Sequence, residues 1–285
     1  MGMCRAPYGS AASGPMACTG PRQWLRQYNA RARFDPSAPP SALRVSLARY
    51  LARLGYGTRK ECERLVASRQ VRSASGAILR DADPFAHEDV RLDGAPLDPP
   101  PGSVVLLHKP VGYVCSTRDR PPLVYDLASP RWLQRTPVLA TVGRLDADTS
   151  GLLLLTDDGP LNHQLTSPRW HLPKGYDVTL ADPLRGEEAE QFASGTLRLQ
   201  GDDAPLRPAV LTAQAPRQLR LTIREGRYHQ VRRMFAAVGH HVVTLHRATF
   251  GPLDLTGVAL GHWRVLSPEE VSGLRQAAQE AKGSR

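Results

Sequence analysis

The sequence predicts an α+β fold in two parts, and three observations carry that prediction. Helical and strand periods are interleaved without the regular strand–helix–strand alternation of a parallel α/β sheet. Two apolar runs, Val138 to Val142 and Leu152 to Leu155, have the continuity of strands buried on both faces. A stiff break, Pro99-Pro100-Pro101-Gly102, divides a short first part from a longer second one, with a linker over 99–103.

The whole-chain balance narrows the chemistry. The chain has 285 residues, 41% hydrophobic content and a formal net charge of +10. That length and hydrophobicity suffice for one large or two ordinary cores. The excess of cations favours an anionic partner and a salt-sensitive encounter. No apolar run reaches the roughly 18 residues a membrane span needs. Cys4, Cys18, Cys62 and Cys115 lie far apart, with neither metal-ligand spacing nor a disulfide framework. A reducing, cytoplasmic location is the expectation. There is no GxxxxGKS/T phosphate loop, no GxGxxG opening a helix after a strand, no CxxC pair and no HExxH. Neither a cofactor nor a metal is therefore expected.

Residues 1–43 hold Arg5, Arg22, Arg26, Arg31 and Arg33 against a single acid, Asp35, with little apolar periodicity. A disordered extension is expected there, since so little apolar surface cannot offset the entropy of ordering.

Residues 44–98 read as a small unit. Val45, Leu47, Ala48, Leu51 and Leu54 recur with a helical period, and Gly55-Tyr56-Gly57 breaks it. Thr58 with Glu61 has capping-box spacing for a second helix whose apolar face is Leu65 and Val66. Short strands come next at Val71, Ile78-Leu79 and Val90 to Leu92, around turns at Ser75-Gly76 and Asp93-Gly94. Eight Lys/Arg lie between Arg44 and Arg72 against Glu61 and Glu63, so the helical pair is basic. That suits a binder of phosphate backbone, although a solvated helix face would look the same.

From Val104 the chain reads as strand (Val104 to His108), short helix or loop (Leu123 to Leu133), strand entering at Val138 and strand leaving at Leu152. A helical segment carries Leu161, His163 and Leu165. Strands are predicted at Lys174 to Leu180, Ala209 to Thr212, Leu219 to Ile223 and Val242 to Leu245, with a helix at Glu187 to Ala193. Val231, Met234, Phe235 and Val238 fall at i, i+3, i+4 and i+7, closed by Gly239, which places a helix there. His229, Arg232 and Arg233 lie off its apolar stripe. A last amphipathic helix covers Ser267 to Lys282, with the larger domain expected over 104–270 and a terminal helix or tail over 271–285.

The polar constellation left for chemistry is Asp146, Asp148, Tyr176 and the His229/Arg232/Arg233 turn. On spacing alone, Gly143-Arg144-Leu145-Asp146-Ala147-Asp148-Thr149-Ser150-Gly151 could be an Asx turn that bonds its own backbone. The paired carboxylates would also suit a glycoside hydrolase. Aromatic content of 6% and the basic balance speak against a sugar cleft.

Two resemblances sharpen this reading. Arg44-Val45-Ser46-Leu47-Ala48-Arg49-Tyr50-Leu51 with Thr58-Arg59-Lys60 resembles the opening of an S4 RNA-binding domain. It implies Arg59, Lys60, Arg64 and Arg69 as RNA contacts. Gly143-Arg144-Leu145-Asp146 with Thr149-Ser150-Gly151-Leu152-Leu153 resembles the catalytic motif of pseudouridine synthases. His108-Lys109-Pro110-Val111-Gly112-Tyr113, Lys174-Gly175-Tyr176 and Glu225 to Phe235 resemble three further motifs of that family, in the same order. His108 and Gly175 depart from the usual residues at non-catalytic positions.

The wording of the last motif is most similar to the ribosomal small-subunit branch, which implies isomerisation of one uridine of 16S rRNA, in an assembling particle, by a monomer. A large-subunit rRNA substrate, or a non-catalytic RNA-binding protein of the same fold, are the alternatives. The resemblance implies Asp146 as catalytic carboxylate, Arg232 as its cationic partner and Tyr176 against the flipped uracil. It implies Arg144 in the vacated base position, and Lys109, His229 and Arg233 near RNA. The leucines after Asp146 are expected to wall the pocket and exclude water. Asp148 is expected to be a turn residue.

Overall fold

A computed structural model describes residues 43–120, 122–167 and 170–283. The predicted extension lies outside the described residues but for Leu43, whose backbone bridges to Phe85.

The first helix, α1 (Leu47–Arg53), starts at Ser46, whose hydroxyl accepts from Arg49 N–H. The second, α2 (Arg59–Ala67), opens on the predicted capping box between Thr58 and Glu61. Leu47, Leu51, Leu54, Cys62 and Val66 pack with Val71, Phe85 and Val90 into one small core. Strands β1 (Val71–Ser73), β2 (Val90–Leu92) and β3 (Ala95–Pro96) close this part as a three-stranded antiparallel sheet. Ile78 makes only an isolated bridge, to Arg72.

Polar contacts tie this unit to the larger one. Asp98, whose side chain is 1% exposed, accepts both arms of the Arg131 guanidinium at 2.8 and 3.0 Å. Arg131 also lies 4.7 Å above the Tyr56 ring. The carbonyls of Pro99 and Pro100 accept from Arg135, which pairs with buried Asp157 at 2.9 Å. The proline linker is thus held along its length rather than swinging.

The larger unit is built on the main sheet: β4 (Val104–Lys109), β5 (Ala140–Thr141), β6 (Thr149–Thr156), β7 (Lys174–Leu180), β8 (Val210–Ala215), β9 (Gln218–Ile223), β10 (Val242–Phe250), β11 (Leu253–Asp254) and β12 (Trp263–Val265). The main path runs β12-β4-β6-β10-β7-β9-β8, with β5 on β6 and β11 on β10. Among the described residues β6 and β10 are the one parallel pair. The mixed, mainly antiparallel sheet is the α+β class expected. Helices α3 (Gly159–Thr166), α4 (Glu188–Ala193), α5 (Gln230–Ala237) and α6 (Pro268–Gly283) cover it.

Alternation along β6 splits the leucine run between two cores. Leu153 and Leu155 join Val178, Leu221, Met234 and Phe235 on one face. Leu152 and Leu154 join Leu161, Leu165, Leu274 and Ala278 on the other. All four are fully buried, each contributing roughly 1.5–3 kcal/mol. The strand below the catalytic motif is thereby fixed from both sides.

Three expectations are corrected. The run Val138 to Val142 yields only the two-residue β5, because Leu139 and Val142 turn into the cores while the chain bends. The Leu152 to Leu155 run fills those cores and does not wall the cavity beside Asp146. The boundary at 270 falls inside α6, whose Leu274 and Ala278 are wholly buried in the second core.

Gly151 shows why the motif needs glycine. Its φ is +118°, and a Cβ there would collide with the backbone of Arg247 across the parallel pair. Gly151→Ala is expected to cost about 2–4 kcal/mol, seen as a lowered midpoint in urea unfolding.

Candidate active site

The catalytic turn sits between β5 and β6 and is held from beneath. Lys109, at the end of β4, is 0% exposed. Its ammonium donates to the carbonyls of Thr149 (2.7 Å), Pro110 and Asp146 (both 3.0 Å) and Ala147 (3.4 Å). Gly112 N–H donates to Ala147 O at 2.6 Å, and Leu145 N–H reaches Cys115 Sγ at 3.5 Å. Burial pulls the Lys109 ammonium below its usual pKa, and the nearby Cys115, Asp146 and Asp148 oppose that. Lys109 is therefore no RNA contact: it is enclosed by the backbone it positions.

With the turn held this way, Asp146 faces a cavity of about 230 Å³ shared with Tyr176, Arg144 and His229. Its carboxylate is one-third exposed and lies 3.3 Å from His229 Nε2. His229 caps α5 with a left-handed backbone, φ +45°, which turns its ring toward the motif. Tyr228 stacks on that ring, centroids 3.8 Å apart. Tyr176 is buried on β7, its neighbour across β10 being Arg247.

The cation expected beside Asp146 is elsewhere. Arg232 pairs with Asp148 Oδ2 at 2.8 Å and donates to Val242 O, and it does not line the cavity. The first turn of α5 points Arg232 along the outside of the motif, so it meets the more exposed carboxylate. Asp148 is thus an ion-pair partner that fastens the motif to α5. Arg233 is committed to Asp202 at 2.7 Å, which Arg227 also holds at 2.8 Å. Its guanidinium is not a free phosphate contact. Arg144 is exposed at the cavity wall. Arg59, Lys60, Arg64 and Arg69 are all exposed on the small unit, where Arg59 forms a surface pair with Glu63.

Four further cations line the cavity, Arg224 and Arg227 toward its outer side and Lys174 and Arg247 deeper. Arg247 on β10 is 2% exposed, and Lys174 on β7 lies beside it. Burial, with the Arg247 charge next, brings Lys174 down to about 8, against a weaker opposing pull from Glu225. The signal that could have found Arg247 is strand parity: Leu245 faces the core, so residue 247 does too.

Comparison with known proteins closes the identification. Residues 103–237 match the family described as RNA pseudouridylate synthase. Ribosomal small subunit pseudouridine synthase A of Escherichia coli K12 is 46% identical over 222 residues, spanning 74% of this chain and 94% of that protein. The chain belongs to the RNA pseudouridylate synthase family. The protein of the same name from Yersinia pestis is 47% identical over 204 residues, 70% of this chain and 83% of that one. A crystal structure described as pseudouridylate synthase superposes with a TM-score of 0.57 at 36% identity, covering 81% of this chain and 99% of that chain. Three of the four sequence motifs place residues in one cavity; the first, His108 to Tyr113, lines none of it and holds the turn from beneath through Lys109 and Gly112.

Lys109→Met should remove the shared cation from four carbonyls, of which Ala147 O and Asp146 O keep a turn N–H donor, and cost about 3–5 kcal/mol. Thermal unfolding should show it as a clear fall in Tm, and a variant as stable as the wild type would refute the clamp.

Proposed function

We propose that this protein isomerises a uridine of small-subunit ribosomal RNA to pseudouridine. The observation that carries the reading is a single cavity in which Asp146, buried Tyr176 and His229 meet. The target base leaves its stack, at a cost of a few kcal/mol, and enters this cavity. Asp146 acts at the sugar, by covalent attack or by taking a proton. Tyr176 supplies the face against which the uracil lies. Arg144, exposed at the rim, fills the space the base has left. His229 bonds the carboxylate and orients it.

The isomerisation moves one bond and one proton within the nucleotide: N1–C1′ breaks, C5–C1′ forms, and the C5 proton is exchanged for one on N1. Arg232 fastens the motif through Asp148 and contributes to catalysis through position. The two-helix unit is an S4-type RNA-binding module, and Arg59, Lys60, Arg64 and Arg69 supply contacts to phosphate. Exposed pairs such as Arg59–Glu63 are worth about 0–1 kcal/mol, so phosphate readily displaces the glutamate. The similarity to small-subunit synthases supports rRNA of that subunit as substrate, and the form in which the enzyme meets it is an assembling particle. The enzyme acts as a monomer in the cytoplasm. No helix among the described residues is long and apolar enough to cross a membrane.

Asp146→Asn is expected to abolish tritium release from 5-tritiated uridine in small-subunit rRNA while RNA affinity changes little. Turnover at the wild-type rate would remove Asp146 from the chemistry. Reversing Arg59 and Lys60 to glutamate should weaken RNA binding and flatten the slope of log K against log salt by about 1.5. An unchanged slope would show that RNA does not lie on α2.

A further inference from the structure

Lys174 and Arg247 are the two cations deepest in the cavity, and the proposed roles leave them unused. They sit on neighbouring strands, Arg247 opposite Tyr176 and Lys174 opposite Phe250. Their charged ends lie 5.5 and 5.4 Å from the centroid of the same Phe250 ring. Arg247 Nε donates to Leu152 O, but its Nη2 is buried with no hydrogen-bond partner. Thr149 Oγ1, on the next strand, is likewise buried and unpartnered in the same cavity. Among the described residues neither cation forms an ion pair. Glu225, the carboxylate that acts on Lys174, is already bonded by Arg227, Gln230 and the Arg207 backbone. A buried cation without a carboxylate is costly unless the substrate completes it.

We infer that Lys174 and Arg247 form a cationic floor that binds the carbonyl-oxygen edge of the flipped uracil and stabilises the negative charge it gains when N1–C1′ breaks. This rests on the proposed uridine isomerisation. The placement argues for the base and against a phosphate: Arg247 lies at the buried bottom of the cavity, in register with Tyr176 on the neighbouring strand. A base resting on that ring reaches the floor edge-first, whereas the phosphodiester stays with the strand at the rim. On bond cleavage the electron pair remains on N1 and spreads onto O2 and O4. Donors beside those oxygens, at the buried end of the cavity, favour the departing base over the intact nucleotide. The pair then holds the uracil while it turns, until C5 joins C1′ and the C5 proton leaves.

The test is a single-turnover comparison of wild type, Lys174→Met and Arg247→Met. Each is given an rRNA fragment carrying either uridine or 5-fluorouridine at the target, and loss of the starting nucleoside is tracked after digestion. Fluorine makes the base a better leaving group that depends less on the floor. On uridine each variant should be slower by about 100-fold or more with nearly unchanged RNA affinity. On 5-fluorouridine that deficit should shrink at least about tenfold. Equal deficits on both substrates would overturn the inference. A raised acidic pKa in the pH–rate profile, with equal deficits, would assign the cations to keeping Asp146 ionised instead. If Arg247→Met fails to fold, Lys174→Met, nearer the solvent, carries the comparison alone. A wild-type enzyme that consumes neither substrate would refute the uridine reaction itself.

Discussion

One ammonium group organises the catalytic turn. Lys109 is enclosed on every side and spends its hydrogen bonds on four backbone carbonyls, three of them within the motif that carries Asp146. Carbonyls converging in a tight turn repel one another unless a donor sits among them, and a cation satisfies several at once. Because β4 and β6 are paired in register, Lys109 opposite Gly151, the strand that supplies the clamp also aligns the strand that leaves the turn. The direction in which Asp146 points is thus a consequence of strand pairing.

The same sheet sorts charge by face. Inward parity places Thr149, Tyr176 and Arg247 around the cavity, while outward parity places Asp177 and Arg220 as an ion pair on the other side. The cavity lining therefore holds more positive than negative charge around Asp146. Such a field draws in an anionic polymer. The α5 turn adds His229 against Asp146 and Arg232 against Asp148, so the motif is fastened from both its floor and its side.

The basic unit at the start is joined to the larger one by directional contacts. Asp98 with Arg131 and Tyr56, and Arg135 with Pro99, Pro100 and Asp157, hold the linker. Gly55 is required at that joint: a Cβ there would lie 2.6 Å from Arg131 O.

The sequence by itself determined the local elements, because their signals are local. The capping box at Thr58, the period of Val231 to Val238 closed by Gly239, and the leucine run each specify their element without reference to the rest. The motif order likewise pointed to Asp146 and Tyr176. What the tertiary structure alone decided is which polar groups meet. Arg232 belongs to Asp148 and not Asp146, and Lys109 points inward to the turn rather than outward to RNA. Arg233 is taken by Asp202, and Arg247 with Lys174 lines the same cavity as Tyr176. Long charged side chains choose partners by where strands of distant sequence are brought together, here β4, β6, β7 and β10, and spacing along the chain carries no record of that choice.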